Sequence, residues 1–86
     1  MNLLSIIIPV FKTEQFFRQC VDSVLNQDYK NIEVILINDG SPDGSPALCD
    51  EYQEKDDRVK VIHQQNQGLA AARNAGIRSA TGSYLV

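Results

Sequence analysis

The chain has 86 residues, 43% of them hydrophobic and 22% charged, with a formal net charge of −3. That length makes at most one domain, able to bury roughly 60–65% of its unfolded surface, and the composition is that of an ordinary globular protein. Lys12, Arg18, Lys30, Lys55, Arg58, Lys60, Arg73 and Arg78 are scattered, so the concentrated basic face that nucleic acid requires is missing.

Leu3 to Val10 is a β-branched run of the kind buried on both faces of a parallel sheet. It is too short to span a bilayer, and it lacks the positive leader and small-residue cleavage site of a signal peptide. The sequence therefore predicts a cytoplasmic segment without a membrane span. Pro9 cannot donate to a ladder and reads as the strand's end. Thr13 is a candidate cap for a helix running to about Gln27. Glu14 falls in its first turn, where negative charge suits the helix dipole. Phe16, Phe17, Cys20, Val21, Val24 and Leu25 recur on one face of that helix.

Asn31 to Ile37 is the second predicted strand, followed by a dense turn region from Asp39 to Pro46. Ser45-Pro46 reads as a cap with proline in the first helical position. Leu48, Cys49 and Tyr52 form the expected inner face of a second helix, which ends in the charged run Glu54 to Arg58. Val59 to His63 is a short third strand. Gly68 opens a third helix, Leu69 to Ala80, whose small residues allow close approach to a sheet. Gly76 costs that helix about 1 kcal/mol against Ala, which implies a packing reason. Gly82 fits the left-handed position after a helix end. Ser83 to Val86 begins a fourth strand with no turn or polar tail after it, so the chain reads as a fragment of a longer β-α-β array. Such alternation implies a parallel sheet. Cys20 and Cys49 lack metal or redox spacing and read as buried small apolar residues in a reducing compartment.

In open α/β sheets, ligands bind over the carboxyl ends of the strands. Pro9-Val10-Phe11, Asn38-Asp39-Gly40-Ser41 and Asn66-Gln67-Gly68 all follow predicted strands. They should meet on one rim, which points to a nucleotide-type ligand. Ionised Asp39 is acceptor-only and could take the imide N–H of uracil or ribose hydroxyls. It could equally do no more than shape an Asp-Gly turn. Phe11 could stack on a base, worth roughly 1–3 kcal/mol, although spacing alone fits slightly better a core ring packed on Phe16 or Phe17. Asn66, Gly68, Arg73 and Asn74 surround a helix start whose free N–H groups suit phosphate oxygens; Arg73 reaches the rim or is a solvated surface cation. No Gly-x-Gly-x-x-Gly or Gly-x-x-x-x-Gly-Lys is present. The single histidine, His63, reads as structural, and no nucleophile–histidine arrangement can be drawn.

Four blocks in order resemble the family 2 glycosyltransferases of the GT-A fold, over Leu4 to Val86. They are Ser5 to Phe11, Ser23 to Gln27, Glu33 to Ser41, and Asn66 to Asn74 with Gly82-Ser83-Tyr84-Leu85. The resemblance implies a three-layer Rossmann-like α/β fold with a mostly parallel sheet, cut after the start of the fourth strand. Residues 1–86 would be one partial domain, the N-terminal nucleotide-sugar-binding half. The implied reaction passes a sugar, with inversion, from a UDP-sugar to a hydroxyl of a saccharide or glycolipid acceptor, in polysaccharide or glycoconjugate synthesis. Carried over by residue, Pro9, Val10 and Phe11 line the base pocket and Asp39 binds uracil. Asn66, Gly68 and Arg73 help hold the nucleotide, and Glu14 contributes on the sugar side. Phe11 stands where tyrosine is common, losing a phenolic hydrogen bond, and Lys12 where asparagine is common. The family's Asp-x-Asp motif for Mg²⁺ or Mn²⁺, with the catalytic base and acceptor site, is expected beyond Val86. The residues present are expected to hold no metal and to be inactive alone. Any attachment to the inner face of a membrane would come through parts not present. The competing readings are a non-catalytic flavodoxin-like binding module and a nucleotidyltransferase; the latter would show a Gly-rich basic loop after the first strand, which is missing.

Overall fold

The computed structural model describes residues 2–85. Strand-like and helix-like patterns alternate as β1 (Leu4–Val10), α1 (Glu14–Leu25), β2 (Ile32–Asp39), α2 (Ser45–Lys55), β3 (Val59–Gln64), α3 (Leu69–Ser79) and β4 (Ser83–Leu85). The strands order β3-β2-β1-β4, every pair parallel. Val86, expected in the fourth strand, lies outside the described residues. Because side chains alternate across a strand, the sheet has two apolar faces. Val10, Ile32, Val34 and Leu36 pack under α1 and α2, against Phe17, Val21, Cys49 and Tyr52. Ile7, Ile35 and Ile37 pack under α3, against Ala72 and Ala75. The result is the expected three layers.

Burial on both faces holds for β2, whose residues are all buried, but not for β1, where Ile6 and Ile8 are half-buried. An apolar groove of about 150 Å³ opens beside β1, lined by Ile8, Pro9, Phe16 and Cys20 among others. The covered stripe of α1 is Phe17, Val21 and Leu25. Phe16 (64% exposed) and Cys20 stand one step around the helix, over that groove, so neither is the core residue expected. Cys49 is buried as expected, and burial pushes its thiol up to about 12, which makes it inert. Pro9 does not end its strand: it pairs with Ile37, and Val10 with Asn38. A proline is tolerated in a strand with one unpaired flank, and β4 runs beside β1 only from Leu4 to Ile6.

Helix ends differ from the sequence expectation where side chains from elsewhere supply the cap. α1 stops at Leu25. α2 begins at Ser45 with Gly44 as its cap residue, because Asp43 Oδ1 accepts the Ser45 N–H at 2.9 Å and Glu14 Oε1 accepts the Gly44 N–H at 2.9 Å. α3 ends at Ser79 with Ala80 extended, so Gly82 is no left-handed cap. Its constraint is steric: a Cβ there would lie 2.3 Å from the Leu3 carbonyl oxygen. Gly76 has the packing reason its position implied, since a Cβ would lie 2.4 Å from Ile7 Cγ2 and 2.8 Å from Ile37 Cδ1. Among the described residues no helix is long and apolar enough to cross a membrane.

The leading end of the sheet is tied by one buried carboxylate. Glu33 Oε1 accepts from Ser5 Oγ (2.5 Å), Thr81 N (2.7 Å) and Thr81 Oγ1 (2.9 Å), while Oε2 accepts from Lys60 Nζ at 2.7 Å. Burial opposes its ionisation, but Lys60, Ser5 and Thr81 outweigh burial and hold the carboxyl at about 2. A carboxyl depressed in the fold stabilises it above the ordinary value and loses that contribution as pH falls through the folded value. Glu33→Gln is therefore expected to cost about 1–3 kcal/mol at neutral pH. Urea denaturation should show the gap to wild type closing as pH falls from the ordinary 4.5 toward about 2. A constant gap across that range would refute the assignment.

Candidate functional site

The parallel register sets Val10 beside Asn38 and Asp39 beside Gln64, so the carboxyl ends of β1, β2 and β3 finish level. Asp39 is 3% exposed. Its Oδ1 accepts from Gln64 Nε2 and from the Gln67 N–H, each at 2.9 Å, and its Oδ2 from the Gly68 N–H at 3.0 Å. The Gln64 amide and then the Gln67 N–H hold this carboxyl below the usual carboxylate range, against burial, with the Gly68 N–H adding to them. An ionised carboxylate offers about four lone-pair sites, so one on Oδ2 remains. Asn66 Nδ2 donates to the Asp39 carbonyl at 3.1 Å. Gly40 has φ +67°, and a Cβ on it would lie 2.7 Å from Asn66 N. Both the left-handed backbone and the close approach need glycine there. Gly68, at φ +97°, turns the chain into α3.

Over this clamp lies a cleft of about 440 Å³, lined by Pro9, Val10, Phe11, Asp39, Asn66, Gly68, Leu69 and Ala72. Six of the residues expected from the sequence meet in it. Phe11 is 40% exposed, with Lys12 Nζ 5.3 Å from its ring centroid, and so is not the core ring that spacing suggested. Leu69 and Ala72 were not anticipated; they follow Gly68 on the first turn of α3, and only the crossing of that helix brings them here. Two expected residues stay outside. Glu14 spends its Oε1 on Gly44 N and lines a separate hollow with Lys12, Gln15, Pro42 and Asp43. Arg73 is exposed, directly after Ala72, and forms no hydrogen bond or ion pair among the described residues. The start of α3 is also not an empty anion site, because Asp39 already stands on its Gly68 N–H.

The turn after β2 is braced from the opposite face of the sheet. Asn38 Oδ1 accepts the Ser41 N–H at 3.0 Å, and Asn38 Nδ2 lies 2.9 Å from His63 Nδ1. Ser41 Oγ accepts the Lys12 N–H at 2.8 Å and donates to Asp43 Oδ1 at 2.6 Å. Asp43 is held well below the carboxylate range, first by Ser41, with burial opposing and the N–H groups of Ser45 and Glu14 assisting. Lys12 itself has φ +54°, a left-handed conformation that costs a side chain with a Cβ roughly 1–2 kcal/mol but that Asn visits readily. Lys12→Asn is therefore expected to stabilise the protein by about 0.5–1 kcal/mol, read as a raised urea midpoint. An unchanged or lowered midpoint would count against strain at this residue.

Among the described residues no three His, Cys, Asp or Glu side chains are grouped to hold a metal ion, and Asp39 already faces N–H donors. The residues present do not fit the divalent ion that the resemblance implies for the longer enzymes.

The chain belongs to glycosyl transferase family 2, whose model matches residues 5–86. It is 48% identical over 83 residues to the glycosyltransferase EpsJ of Bacillus subtilis (strain 168), covering 96% of this chain and 24% of that protein. Among solved structures it resembles the mannosyltransferase PcManGT from Pyrobaculum calidifontis, in complex with GDP-Man and Mn²⁺, at TM-score 0.83 and 25% identity, over 92% of this chain and 24% of that one. It also resembles S. aureus TarS (residues 1–349) at TM-score 0.84 and 25% identity, over 99% and 27%. The fold is that of the GT-A glycosyltransferases, and the chain spans about a quarter of the length of these relatives.

Proposed function

We propose that this chain is the donor-nucleotide-binding part, the N-terminal half of the catalytic domain, of a glycosyltransferase. In this reading the whole enzyme transfers a sugar, with inversion, from a UDP-sugar to a hydroxyl of a saccharide or glycolipid acceptor. It serves polysaccharide or glycoconjugate synthesis, in the cytoplasm or at the inner face of a membrane. Metal, catalytic base and acceptor site belong to other segments, so no chemical step is assigned to the residues here. The observation that carries the reading is the meeting of three strand-end segments in one cleft beside a carboxylate with an unfilled acceptor site. Membership of the family sets aside the flavodoxin-like and nucleotidyltransferase alternatives.

In this reading the base of a uridine diphosphate has its counterparts in the cleft and the diphosphate has its counterpart beside it. The free Oδ2 lone pair of Asp39 accepts the uracil N3–H. Pro9, Val10, Phe11 and Leu69 give the base apolar surface, with Phe11 exposed enough to stack. Asn66 and Gly68 hold the far wall. Arg73, with no partner among the described residues, supplies the charge for the diphosphate. Glu14 is the weakest member of the set, since its carboxylate caps α2; it acts on the sugar side only through the hollow it shares with Lys12 and Asp43. Guanine also presents N–H donors, and PcManGT was solved with GDP-Man, so GDP is the comparator.

Calorimetry separates these roles. Uridine should bind at least about tenfold more tightly than N3-methyluridine, the value of one hydrogen bond to a charged group. Asp39→Ala should weaken UDP and abolish that preference. Equal affinity of both proteins for UDP removes Asp39 from the site, and GDP binding better than UDP would move the donor class to guanosine diphosphates. Arg73→Ala should weaken UDP more than uridine; equal losses for the two ligands would place Arg73 away from the phosphates.

A further inference from the structure

We infer that His63 is a positioning residue for the base pocket, holding the cleft's turn in place only while its imidazole is neutral. The inference deepens the proposed nucleotide site and rests on it. Its basis is a chain of hydrogen bonds whose directions are fixed. The Ser41 backbone N–H can only donate, so the Asn38 atom facing it at 3.0 Å is the carbonyl Oδ1. The Asn38 amide nitrogen must then face His63 Nδ1 at 2.9 Å as a donor. Nδ1 is therefore an acceptor and carries no hydrogen. The ring proton sits on Nε2, which donates to Asp50 Oδ1 at 2.8 Å.

The same residues adjoin the cleft. Ser41 Oγ takes the N–H of Lys12, the left-handed residue that follows Phe11. Asn38 and Ser41 also bracket Asp39 and Gly40, the carboxylate and the tight turn of the proposed base site. When His63 gains a proton on Nδ1, two donors confront each other across the Asn38 contact. Flipping the Asn38 amide does not relieve the conflict, because its NH₂ would then face the Ser41 N–H. The bond to Asp50 strengthens and the bond to Asn38 is lost, so the turn loses its brace. From α2, the groups on this side of β3 are Asp50 and the neutral Gln53, whose Oε1 accepts the Val61 N–H; from β2 it is the neutral Asn38. Asp50 is thus the one charged side chain in contact with the ring among the described residues. Histidine changes charge between about pH 5 and 8, so base affinity should fall as pH falls.

Uridine is the probe, because unlike UDP it has no phosphate to titrate in that window. Wild-type affinity for uridine should fall about threefold to tenfold from about pH 8 to about pH 5.5, the value of one hydrogen bond. His63→Leu should bind weakly at both values. His63→Asn, whose Oδ1 falls near the position of Nδ1 but does not titrate, should recover the affinity and show no pH dependence. Equal pH dependence in wild type and His63→Asn overturns the inference. Nitrogen-15 NMR of the wild type decides independently of any ligand. It should show the Nε2–H tautomer at about pH 8, and the Ser41 and Lys12 amide signals should shift together with the imidazole titration. An Nδ1–H tautomer, or amides that ignore the titration, also overturns it. Both NMR signatures present with no uridine binding at about pH 8 would support the His63 brace and strike the base-pocket reading alone.

Discussion

The carboxylate of Asp39 takes three hydrogen bonds from a segment 25 to 29 residues further along the chain. No other contact does as much to create the cleft. β2 delivers the carboxylate from the centre of the sheet, buried on both faces, so its position is set by the ladder. The Gln64–Gly68 connection cannot pair in the sheet beyond Gln64 and would otherwise be a free loop. Bonding its amides to a fixed anion turns it into a wall and launches α3 in a fixed direction across β2 and β1. The crossing of α3 then requires Gly76, because Ile7 and Ile37 fill the space a methyl group would need. Clamp, helix direction and glycine are one constraint expressed three times.

Glu33 and Asp39 stand at opposite ends of β2 on the same face, and the contrast between them separates structure from function. Four donors surround Glu33, three on Oε1 and one on Oε2, and the residue is buried. Such a carboxylate ties the fold together, joining β1, β2, β3 and the turn before β4. Asp39 has three donors and borders an open cleft. Its negative charge is compensated at the helix start, so its burial is tolerated while one acceptor position on Oδ2 is unfilled. The pair also differs in reach: Lys60 neutralises Glu33, whereas Asp39 has only neutral partners, which suits a site for an uncharged N–H donor.

Features set by local chemistry were legible in the sequence. Strand and helix alternation, the buried β2 run, the convergence of strand-end segments and the packing role of Gly76 follow from periodicity and turn residues. What was not legible depended on partners distant in the chain. Cys20 and Phe16 have helical spacing compatible with a core face, and only the actual width of the cover over α1 leaves them outside it. Glu14 looked like a dipole residue of its own helix, and it caps the next one instead. Gly82 carried a turn signal, but its requirement is an approach to the Leu3 carbonyl. Leu69 and Ala72 enter the cleft because a helix crosses the sheet, which no spacing records. Lys12 gave no hint of its left-handed backbone from residue type, because lysine is unfavourable there.

The placement of charge also orders the proposed ligand within the cleft. A helix start attracts anions, and by sequence alone the beginning of α3 would take the diphosphate. In the fold a carboxylate already stands there, bonded to Gly68, and a phosphate beside it would meet like charge. In the proposed reading the end of the cleft near Asp39 therefore takes the uncharged base, and the anionic groups lie away from it. Arg73, next in sequence to the lining residue Ala72, is a cation with no hydrogen bond or ion pair among the described residues. Lys12, by contrast, is drawn over the Phe11 ring. In the proposed reading, a nucleotide with its base on Asp39 and its phosphates away from that carboxylate, toward Arg73, avoids the like charge that the reverse orientation would meet.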